Sequence, residues 1–505
     1  MALQRHTGQG HVTRTSPHNA TALAAILAFG LSAGFTAPAF SQSETTVQTK
    51  QYDTGGIYEG EFKDGKQHGS GKYTLPNGYE YVGEWVDGRI EGTGVAKFPN
   101  GSVYEGTFAN GRPEGKGKIT FSDGGTYEGD WLDGKIAGTG VAVYANGVTY
   151  EGAFKDAVHD GFGVMTSSSG YRYEGDWVAG TKEGRGKITY ADGAVYEGDI
   201  KAGVRAGQGS LTMPDGLIYT GAWAGGQING TGVLTHGNGD RYEGTLVNGR
   251  REGDGTATYA NGDVYVGQFK DDQRHGTGTF TGSDGYKYEG AWVEGRIQGT
   301  GKVTYSDGSI YEGTFENDVA QGKGKITYQD GSSYEGDWSN GVIEGAGIAR
   351  YDNGLVYEGD FKNAKNHGQG TMTYGDGYKY TGAWENGLRH GTGTATYADG
   401  TVYEGVFVNG QRDGDGTITM PDGFVYKGSW SGGEIDGNGV ATYPNGDIYE
   451  GEFRKGQRQG TGLMKYANGE EYDGFWANGR QATAEEAAQA EEEDAASENE
   501  ASSSN

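Results

Sequence analysis

The sequence predicts an all-β chain, an elongated single-layer antiparallel β-meander of about nineteen stacked 23-residue hairpin repeats that forms a twisted open ribbon. Three observations support this prediction. Tyrosine recurs at every 23rd position from Tyr58 to Tyr472 without a slip. Glycine follows each of these tyrosines at fixed spacings, and an Asn-Gly or Asp-Gly pair lies near the end of every full copy but one. A fixed period of this length is typical of a repeat array, in which one small unit stacks on itself.

The spacing inside a copy predicts two strands. Counted from the anchor tyrosine as position 0, Tyr104 is followed by Gly106 at +2 and Phe108 at +4, and glycine returns at +11 and +13. Side chains on a strand alternate between its two faces, so these residues share one face of each strand, with polar residues on the other. Each copy is therefore predicted to be a β-hairpin.

Two turns connect the strands. The Asn/Asp-Gly pair at +19 and +20 predicts the tight hairpin turn, because both residues tolerate positive φ. The pair at +6 and +7, such as Asp64-Gly65, predicts the start of a longer turn. The glycines at +11 and +13 are predicted to provide flat backbone against which tyrosine and tryptophan rings lie. Burial of the rings then offsets the cost of strand glycine, about 1 kcal/mol each.

This pattern resembles the MORN repeat family. The Tyr-Glu-Gly-x-Trp/Phe-x-Asn/Asp-Gly core of that family and its later Gly-x-Gly occur almost unbroken from Tyr58 to Gly479. The resemblance implies an elongated hairpin array that acts as a scaffold, sometimes dimeric and sometimes associated with membranes.

The array contains an internal duplication. Tryptophan occupies +4 in every second copy, and this alternation slips once, between Trp223 and Trp292. A shift of nine copies, or 207 residues, explains the slip, since Trp85 then falls on Trp292 and the unusual Ala157 at +7 falls on Ala364. We infer that the array was lengthened by copying a block of nine hairpins.

Four segments follow from this pattern: a signal peptide (1–41), a linker (42–51), the nineteen-copy array (52–480) and an acidic disordered tail (481–505). Arg5 and Arg14 precede an apolar stretch at 20–35, and small residues around Ala39 and Ser41 suit cleavage there. An uncleaved N-terminal anchor is the alternative. The tail is rich in Glu, Ala and Ser, and a short helix over 483–490 that covers the last edge strand is its alternative. We expect an exported protein, periplasmic or secreted, from a Gram-negative bacterium.

The charge balance bears on partners. The chain has a formal net charge of −28, carried mainly by the glutamate at +1. Nucleic acids and anionic lipids need a basic surface, so neither is expected as a partner. We expect protein partners of unknown identity and consider self-association through the terminal hairpins, because an uncovered strand edge recruits another strand.

No catalytic, metal or cofactor site is predicted. Every Ser, Asp or Glu belongs to a slot that recurs in many copies, so no nucleophile is paired with a base once only, and the chain has no cysteine. Histidines lie one or two residues before the glycine at +11 in five copies, and the pair in adjacent copies, His367 and His390, is about 10 Å apart by strand spacing. That is too far for a shared transition metal. We expect a protein that is not an enzyme and has no cofactor.

The aromatic row is the remaining candidate site. If the rings are covered, this row is the hydrophobic core of the sheet. If the rings are exposed, the row is a platform on which sugar rings or an extended peptide can stack. The function we expect is a non-catalytic scaffold or protein-interaction array of the bacterial cell envelope. The alternatives are a carbohydrate-binding module for peptidoglycan or exopolysaccharide through the Tyr/Trp row and, more weakly, association with a membrane surface. The candidate residues are Trp85, Trp131, Trp177, Trp223, Trp292, Trp338, Trp384, Trp430, Trp476, Tyr81, Tyr127, Tyr173, Tyr288, Tyr334 and Tyr380.

Overall fold

The computed structural model describes residues 46–503, with side chains as far as residue 493. These residues form 39 strands and then one helix, α1, at Ala484–Ser503. The strands β1 to β39 are, in chain order, Thr46–Gln51, Ile57–Lys63, Lys66–Thr74, Glu80–Val86, Arg89–Lys97, Val103–Ala109, Arg112–Thr120, Thr126–Leu132, Lys135–Val143, Thr149–Lys155, Val158–Thr166, Arg172–Val178, Thr181–Thr189, Val195–Lys201, Val204–Thr212, Ile218–Ala224, Gln227–Thr235, Arg241–Val247, Arg250–Thr258, Val264–Lys270, Gln273–Thr281, Lys287–Val293, Arg296–Thr304, Ile310–Glu316, Val319–Thr327, Ser333–Ser339, Val342–Arg350, Val356–Lys362, Lys365–Thr373, Lys379–Glu385, Leu388–Thr396, Val402–Val408, Gln411–Thr419, Val425–Ser431, Glu434–Thr442, Ile448–Arg454, Gln457–Lys465, Glu471–Ala477 and Arg480–Ala482.

The strands form a single open sheet. Each pairs antiparallel with the strands before and after it along the chain, as β2 does with β1 and β3. Over the described residues, β1 pairs only with β2 and β39 only with β38, so the sheet is not closed into a barrel. The predicted fold class is confirmed.

A row of paired glycines crosses the sheet. Gly106 pairs with Gly117, and Gly117 pairs with Gly129 of the next copy, so positions +2 and +13 alternate along one line. Next to this line, Phe108 pairs with Pro113, and the register shifts between Gly106 and Phe108. The extra residues on the second strand form a β-bulge, which bends that strand locally.

The glycine at +11 belongs to the bulge. Gly115 has a φ of 72°, and a β-carbon there would lie 2.8 Å from Thr107 Oγ1. Thr107 is at +3, on the opposite face of the strand from the anchor tyrosine. The prediction that +11 helps to support the rings is therefore wrong. Glycine is needed at +11 because the bulge requires positive φ.

The anchor tyrosine lies across the glycine row. A β-carbon on Gly106 would be 2.6 Å from Tyr104 Oη, and one on Gly117 would be 2.5 Å from its ring. The Tyr104 hydroxyl donates a hydrogen bond of 2.9 Å to the Thr107 carbonyl at the bulge. A buried carbonyl needs a partner, which explains tyrosine rather than phenylalanine at position 0. The prediction that glycine provides flat backbone for the rings is confirmed at +13, and the glycine at +2 has the same role.

The two turns have the opposite roles from those predicted. Asp64 and Gly65, at +6 and +7, both have positive φ, 52° and 76°, and form the tight two-residue turn. At the other turn, Gly78 has a φ of 92°, while Asn77 accepts the backbone N–H of Tyr79 through Oδ1 at 3.0 Å. Asparagine or aspartate at +19 therefore acts through its side chain, as in an Asx turn, rather than through its backbone conformation.

The N-terminal boundary differs from the prediction. Part of the predicted linker is strand β1, which pairs with β2 along its whole length, from Thr46 opposite Phe62 to Gln51 opposite Ile57. Thr and Val favour strands, which accounts for this extension. The predicted signal peptide lies outside the described residues.

The C-terminal boundary differs as well, since helix α1 replaces most of the predicted disordered tail. The Thr483 N–H donates to Glu486 Oε2 at 2.8 Å, and the Glu486 N–H donates to Thr483 Oγ1, which is a capping box. Ala487 and Ala490 are buried where the helix packs on β37 and β38. Over the described residues, no helix is both long and apolar enough to cross a membrane.

Candidate interaction surfaces

The predicted aromatic surface is the core of the sheet. All nine tryptophans have exposed fractions of 2–8%. The six candidate anchor tyrosines are buried as well. The structure thus brings the fifteen residues together in one row, with their rings covered. The residues of this core row that had been singled out are Tyr81, Trp85, Tyr127, Trp131, Tyr173, Trp177, Trp223, Tyr288, Trp292, Tyr334, Trp338, Tyr380, Trp384, Trp430 and Trp476.

Edge-to-face contacts connect the core row from copy to copy. The Tyr104 ring lies 5.0 Å from Phe108 of its own copy and 4.9 Å from Trp131 of the next, at interplanar angles of 87° and 78°. This is a favourable arrangement for aromatic pairs. Trp131 Nε1 also donates to the Gly117 carbonyl at 3.2 Å. A sugar ring needs a free aromatic face to stack on, and these rings use their faces on one another.

A second aromatic row, at +17, is the part of this face that solvent reaches. Ten copies carry tyrosine there, and four of these side chains are exposed: Tyr144 (40%), Tyr305 (37%), Tyr328 (39%) and Tyr351 (41%). They are the only exposed tyrosines among the described residues. The other six are half-buried, namely Tyr190, Tyr259, Tyr374, Tyr397, Tyr443 and Tyr466. The sequence pattern placed aromatic residues at +17 on this face without singling them out.

The exposure of these tyrosines correlates with the residue at +9 of the following copy. Five of the six half-buried tyrosines are followed, 15 residues later, by an arginine: Arg205, Arg274, Arg389, Arg412 and Arg458. The sixth, Tyr466, accepts a hydrogen bond of 3.0 Å from Gln481 Nε2 through its hydroxyl. The four exposed tyrosines are followed by His159, Ala320, Ile343 and Asn366 at the same spacing. A long polar side chain at +9 thus accompanies every covered ring.

The five arginines pack over rings of the core row, and Arg458 also lies against the preceding tyrosine at +17. The Arg458 guanidinium lies 4.3 Å from the Trp476 ring centroid and 5.8 Å from that of Tyr443. Its Nη2 donates to the Gly479 carbonyl at 2.6 Å. Arg412 repeats the arrangement, 4.3 Å from Trp430. A cation over an indole face is attractive, so the arginine is held in place while it shields the neighbouring tyrosine.

Three consecutive copies lack this cover and form what we call the open window, defined by Tyr305, Tyr328 and Tyr351 with Ala320 and Ile343. A groove of about 500 Å³ runs along part of it. Burial raises the pKa of all three tyrosines, so their phenols are neutral donors at neutral pH. The groove is lined by Tyr286, Val303, Tyr305, Phe315, Asp318, Val319, Ala320, Ile326, Tyr328, Trp338, Gly341, Val342, Ile343 and Ala364.

The duplicated block carries a partial counterpart. A shift of 207 residues places Phe98, Phe121 and Tyr144 on the three tyrosines of the open window. Phe121 and Tyr144 are exposed. The Tyr144 hydroxyl is, however, hydrogen-bonded to His159 Nε2 at 2.7 Å. The counterpart is therefore smaller and more apolar than the open window.

The opposite, polar face of the sheet carries most of the ion pairs. Lys116 contacts Asp130 at 2.6 Å, and the duplicated pair, Lys323 and Asp337, has the same distance. The hydrogen bond from Lys116 lowers the pKa of Asp130. A groove of about 1210 Å³ on this face includes the exposed ring of Phe162. Such surface pairs contribute about 0–1 kcal/mol each, so this face is mainly a solvated one.

The histidines occupy structural slots. In most copies an acidic or amide side chain at +10 accepts the N–H of the next tight turn, as Glu91 Oε1 does from Asn110 at 2.9 Å. His68, His275 and His367 fill the same slot, and their buried Nδ1 atoms have no hydrogen-bond partner within the described chain. No group of three or more His, Asp or Glu among residues 46–493 is arranged to hold a metal ion.

Comparison with known protein families identifies the type of repeat. The family model described as MORN repeat matches 18 consecutive segments, from 58–78 to 449–471. These matches cover most of the chain and have the 23-residue spacing of the hairpins. No curated protein sequence matches the chain significantly.

Solved structures give only distant similarity. The TCP domain of SAS-4 from Drosophila melanogaster is 14% identical, covers 35% of this chain and 90% of its own, and has a TM-score of 0.22. The TCP10 domain of CPAP from Danio rerio is 17% identical, covers 48% and 93%, and has a TM-score of 0.20. A streptogramin B lyase is 11% identical, covers 58% and 90%, and has a TM-score of 0.11. These values are too low to bear on function.

Proposed function

The chain belongs to the MORN repeat family, and from this membership we propose that it is a non-catalytic structural scaffold or protein-interaction array of the bacterial cell envelope. One observation carries the proposal: the same surface slots recur on one continuous sheet in nineteen copies. Each hairpin contacts only its neighbours, so the number of copies sets the length of such an array. Two strand spacings give about 9.6 Å per copy. The array offers partners regularly spaced positions.

The envelope part of the proposal rests on the N-terminal sequence. Arginines followed by an apolar stretch at 20–35 and small residues near Ala39 have the organisation of a secretory signal. An exported rod with an acidic surface stays soluble and repels anionic lipid head groups. We therefore expect protein partners rather than a lipid surface, and no flotation of the purified array with anionic vesicles.

The test is site-specific photo-crosslinking of the full chain in a Gram-negative host. A crosslinking residue is placed at Tyr328, which is exposed, and in a matched control at Tyr311, which is buried. We expect envelope proteins to be captured from position 328 and not from position 311. A variant without residues 1–41 should remain in the cytoplasm and lose these adducts. Retention of the full chain in the cytoplasm, or capture of no protein from any exposed slot, would contradict the proposal.

Carbohydrate binding through the Tyr/Trp row is the alternative function, and it is tested separately. It requires exposed tryptophan rings, whereas their exposed fractions are 2–8%. We expect purified peptidoglycan not to retain the protein. Retention that is lost in a Trp338→Ala variant which remains folded would favour the carbohydrate interpretation instead.

A further inference from the structure

We infer that the open window binds an extended, cationic, proline-rich protein segment, with one turn of a polyproline II helix on each exposed tyrosine. This inference rests on the proposed interaction function and names the class of partner for one site. It concerns three of the nineteen copies, so the array can be a scaffold even if this site is not a peptide site.

The spacing of the window fits this ligand. Corresponding residues in successive copies are two strands apart, which is about 9.6 Å at ordinary strand spacing. A polyproline II helix has three residues per turn and rises about 3.1 Å per residue, or about 9.3 Å per turn. Every third residue of such a segment therefore returns to the same position on the next tyrosine. An extended β-strand, at about 6.7 Å for two residues, does not keep this register.

The chemistry of the groove fits as well. Polyproline segments dock in grooves lined with aromatic rings, where their apolar rings pack on tyrosine faces. Their backbone carbonyls have no internal hydrogen bonds and need donors. The neutral phenols of Tyr305, Tyr328 and Tyr351 are such donors, and none of the three is hydrogen-bonded to another group of the described chain. Among the half-buried tyrosines at +17, the Tyr466 hydroxyl already accepts a hydrogen bond from Gln481, so what distinguishes the window is the exposure of its rings rather than free hydroxyls alone.

Charge selects a basic segment. Each tyrosine of the open window is followed within two residues by an aspartate: Asp307 after Tyr305, Asp330 after Tyr328, and Asp352 after Tyr351. Asp318 lines the groove itself, and no lysine or arginine does. Elsewhere on this face arginine at +9 covers the row, with its guanidinium above the rings. The window therefore combines exposed aromatic rings with uncompensated negative charge, which complements lysine or arginine between the prolines.

The experiment is a fluorescence anisotropy titration of the purified array at low and high salt. The probe is a labelled peptide of about five Pro-Pro-Lys triplets, long enough to span three slots at 3.1 Å per residue. The comparison probes are a Pro-Pro-Glu peptide, a Gly-Ser-Lys peptide of equal charge, and a chitin oligosaccharide. We expect saturable binding of the Pro-Pro-Lys peptide and at least about tenfold weaker binding of the others, since rigid, preorganised ligands lose less entropy on binding.

Two sets of variants locate the site. Tyr305→Ala/Tyr328→Ala/Tyr351→Ala should weaken binding at least about tenfold, as expected for removal of central aromatic anchors. Ala320→Arg/Ile343→Arg should have the same effect, because it places 15 residues after Tyr305 and Tyr328 the arginine that lies against Tyr443 in another copy. The +9 slot already holds arginine in six copies, so this second variant is expected to fold even if the first is not. Tyr397→Ala/Tyr443→Ala, at covered positions, is the matched control and should bind within about twofold of the wild type.

Several results would overturn the inference. These are no binding of the Pro-Pro-Lys peptide, equal binding of the Gly-Ser-Lys peptide, preferential binding of the chitin oligosaccharide, or unchanged affinity in the folded Ala320→Arg/Ile343→Arg variant. Crosslinks to envelope proteins from position 328 that persist in that variant would separate the two proposals, since the scaffold would stand and the polyproline site would not.

Discussion

Two neighbouring stretches of the sheet, the open window and the copies around Arg389 and Arg412, differ in the residue at +9 and in the exposure of the tyrosine at +17. Both have anchor tyrosines on a glycine row, and both have tyrosines at +17. Tyr328 is exposed and is followed 15 residues later by Ile343, whereas Tyr397 is half-buried and is followed at the same spacing by Arg412. The comparison shows that one set of positions in the repeat forms the core, and that another position accompanies the exposure of the tyrosines beside the core. The anchor and its glycines hold the fold, while the exposure of the outer ring correlates with the residue at +9.

High pH tests the shared core and has the largest expected effect, because it acts on every copy. Burial raises the pKa of Tyr311 in the window and of Tyr403 in the covered stretch to about 12 in both cases. For a tyrosine, a folded-state pKa above the unfolded value of about 10 stabilises the fold fully below pH 10, and this stability is lost as the pH rises through 12. We expect cooperative unfolding over that range, followed by circular dichroism and tyrosinate absorbance. Anchors that ionise near pH 10 without unfolding would contradict this account of the core.

A methyl group on the glycine row should destabilise both stretches equally. In Gly324→Ala and Gly416→Ala, the new β-carbon would lie 2.6 Å from Cε2 of the anchor ring. We expect a loss of about 2–3 kcal/mol in the free energy of unfolding for each, as for overpacked cores. Hydrogen exchange of the flanking strands measures it. Gly375→Ala is the control, because its β-carbon has no neighbour closer than 3.9 Å and its φ is ordinary.

Removing a covering arginine should convert one stretch into the other. Arg412→Ala loses the contact with Trp430 at 4.3 Å and the hydrogen bond to the Gly433 carbonyl at 2.7 Å. We expect a cost of about 1–2 kcal/mol, and Tyr397 should become as reactive as Tyr328. Chemical denaturation and tyrosine nitration measure the two effects. Unchanged reactivity of Tyr397 would show that another group covers it.

The smallest expected effect is at the tight turn of the copy that follows the window. Ala364 has a φ of 60°, where glycine is favoured, and its duplicate Ala157 has a φ of 65°. Ala364→Gly and Ala157→Gly should each stabilise the array by about 1 kcal/mol. Ala346→Gly, in a strand with ordinary φ, should destabilise by a similar amount and serves as the control. Thermal unfolding of the three variants measures the sign.

Much of the fold could be predicted from the sequence, because the period directly gives strand length, strand order and the shared face of tyrosine, glycine and tryptophan. The roles of the two turns could not be predicted, since Asn-Gly suits both a tight turn and an Asx turn. The bulge at Gly115 decides which strand ends pair. The covering rule was also missed. Tyr443 and Arg458 belong to different copies, and their contact depends on the register between strands. The signal was nevertheless present, as arginine follows tyrosine by 15 residues in five copies. The helix at the C-terminus likewise had its capping signal, Thr483 with Glu486.

Nitration of the intact array by tetranitromethane, followed by peptide mass mapping, tests the central claim most directly. We predict fast modification of Tyr305, Tyr328 and Tyr351, slower modification of Tyr374 and Tyr397, and none of the anchor tyrosines while the fold persists. Anchor tyrosines that react as fast as Tyr328, or window tyrosines as protected as the anchors, would contradict the division of this sheet into a closed core and an open window.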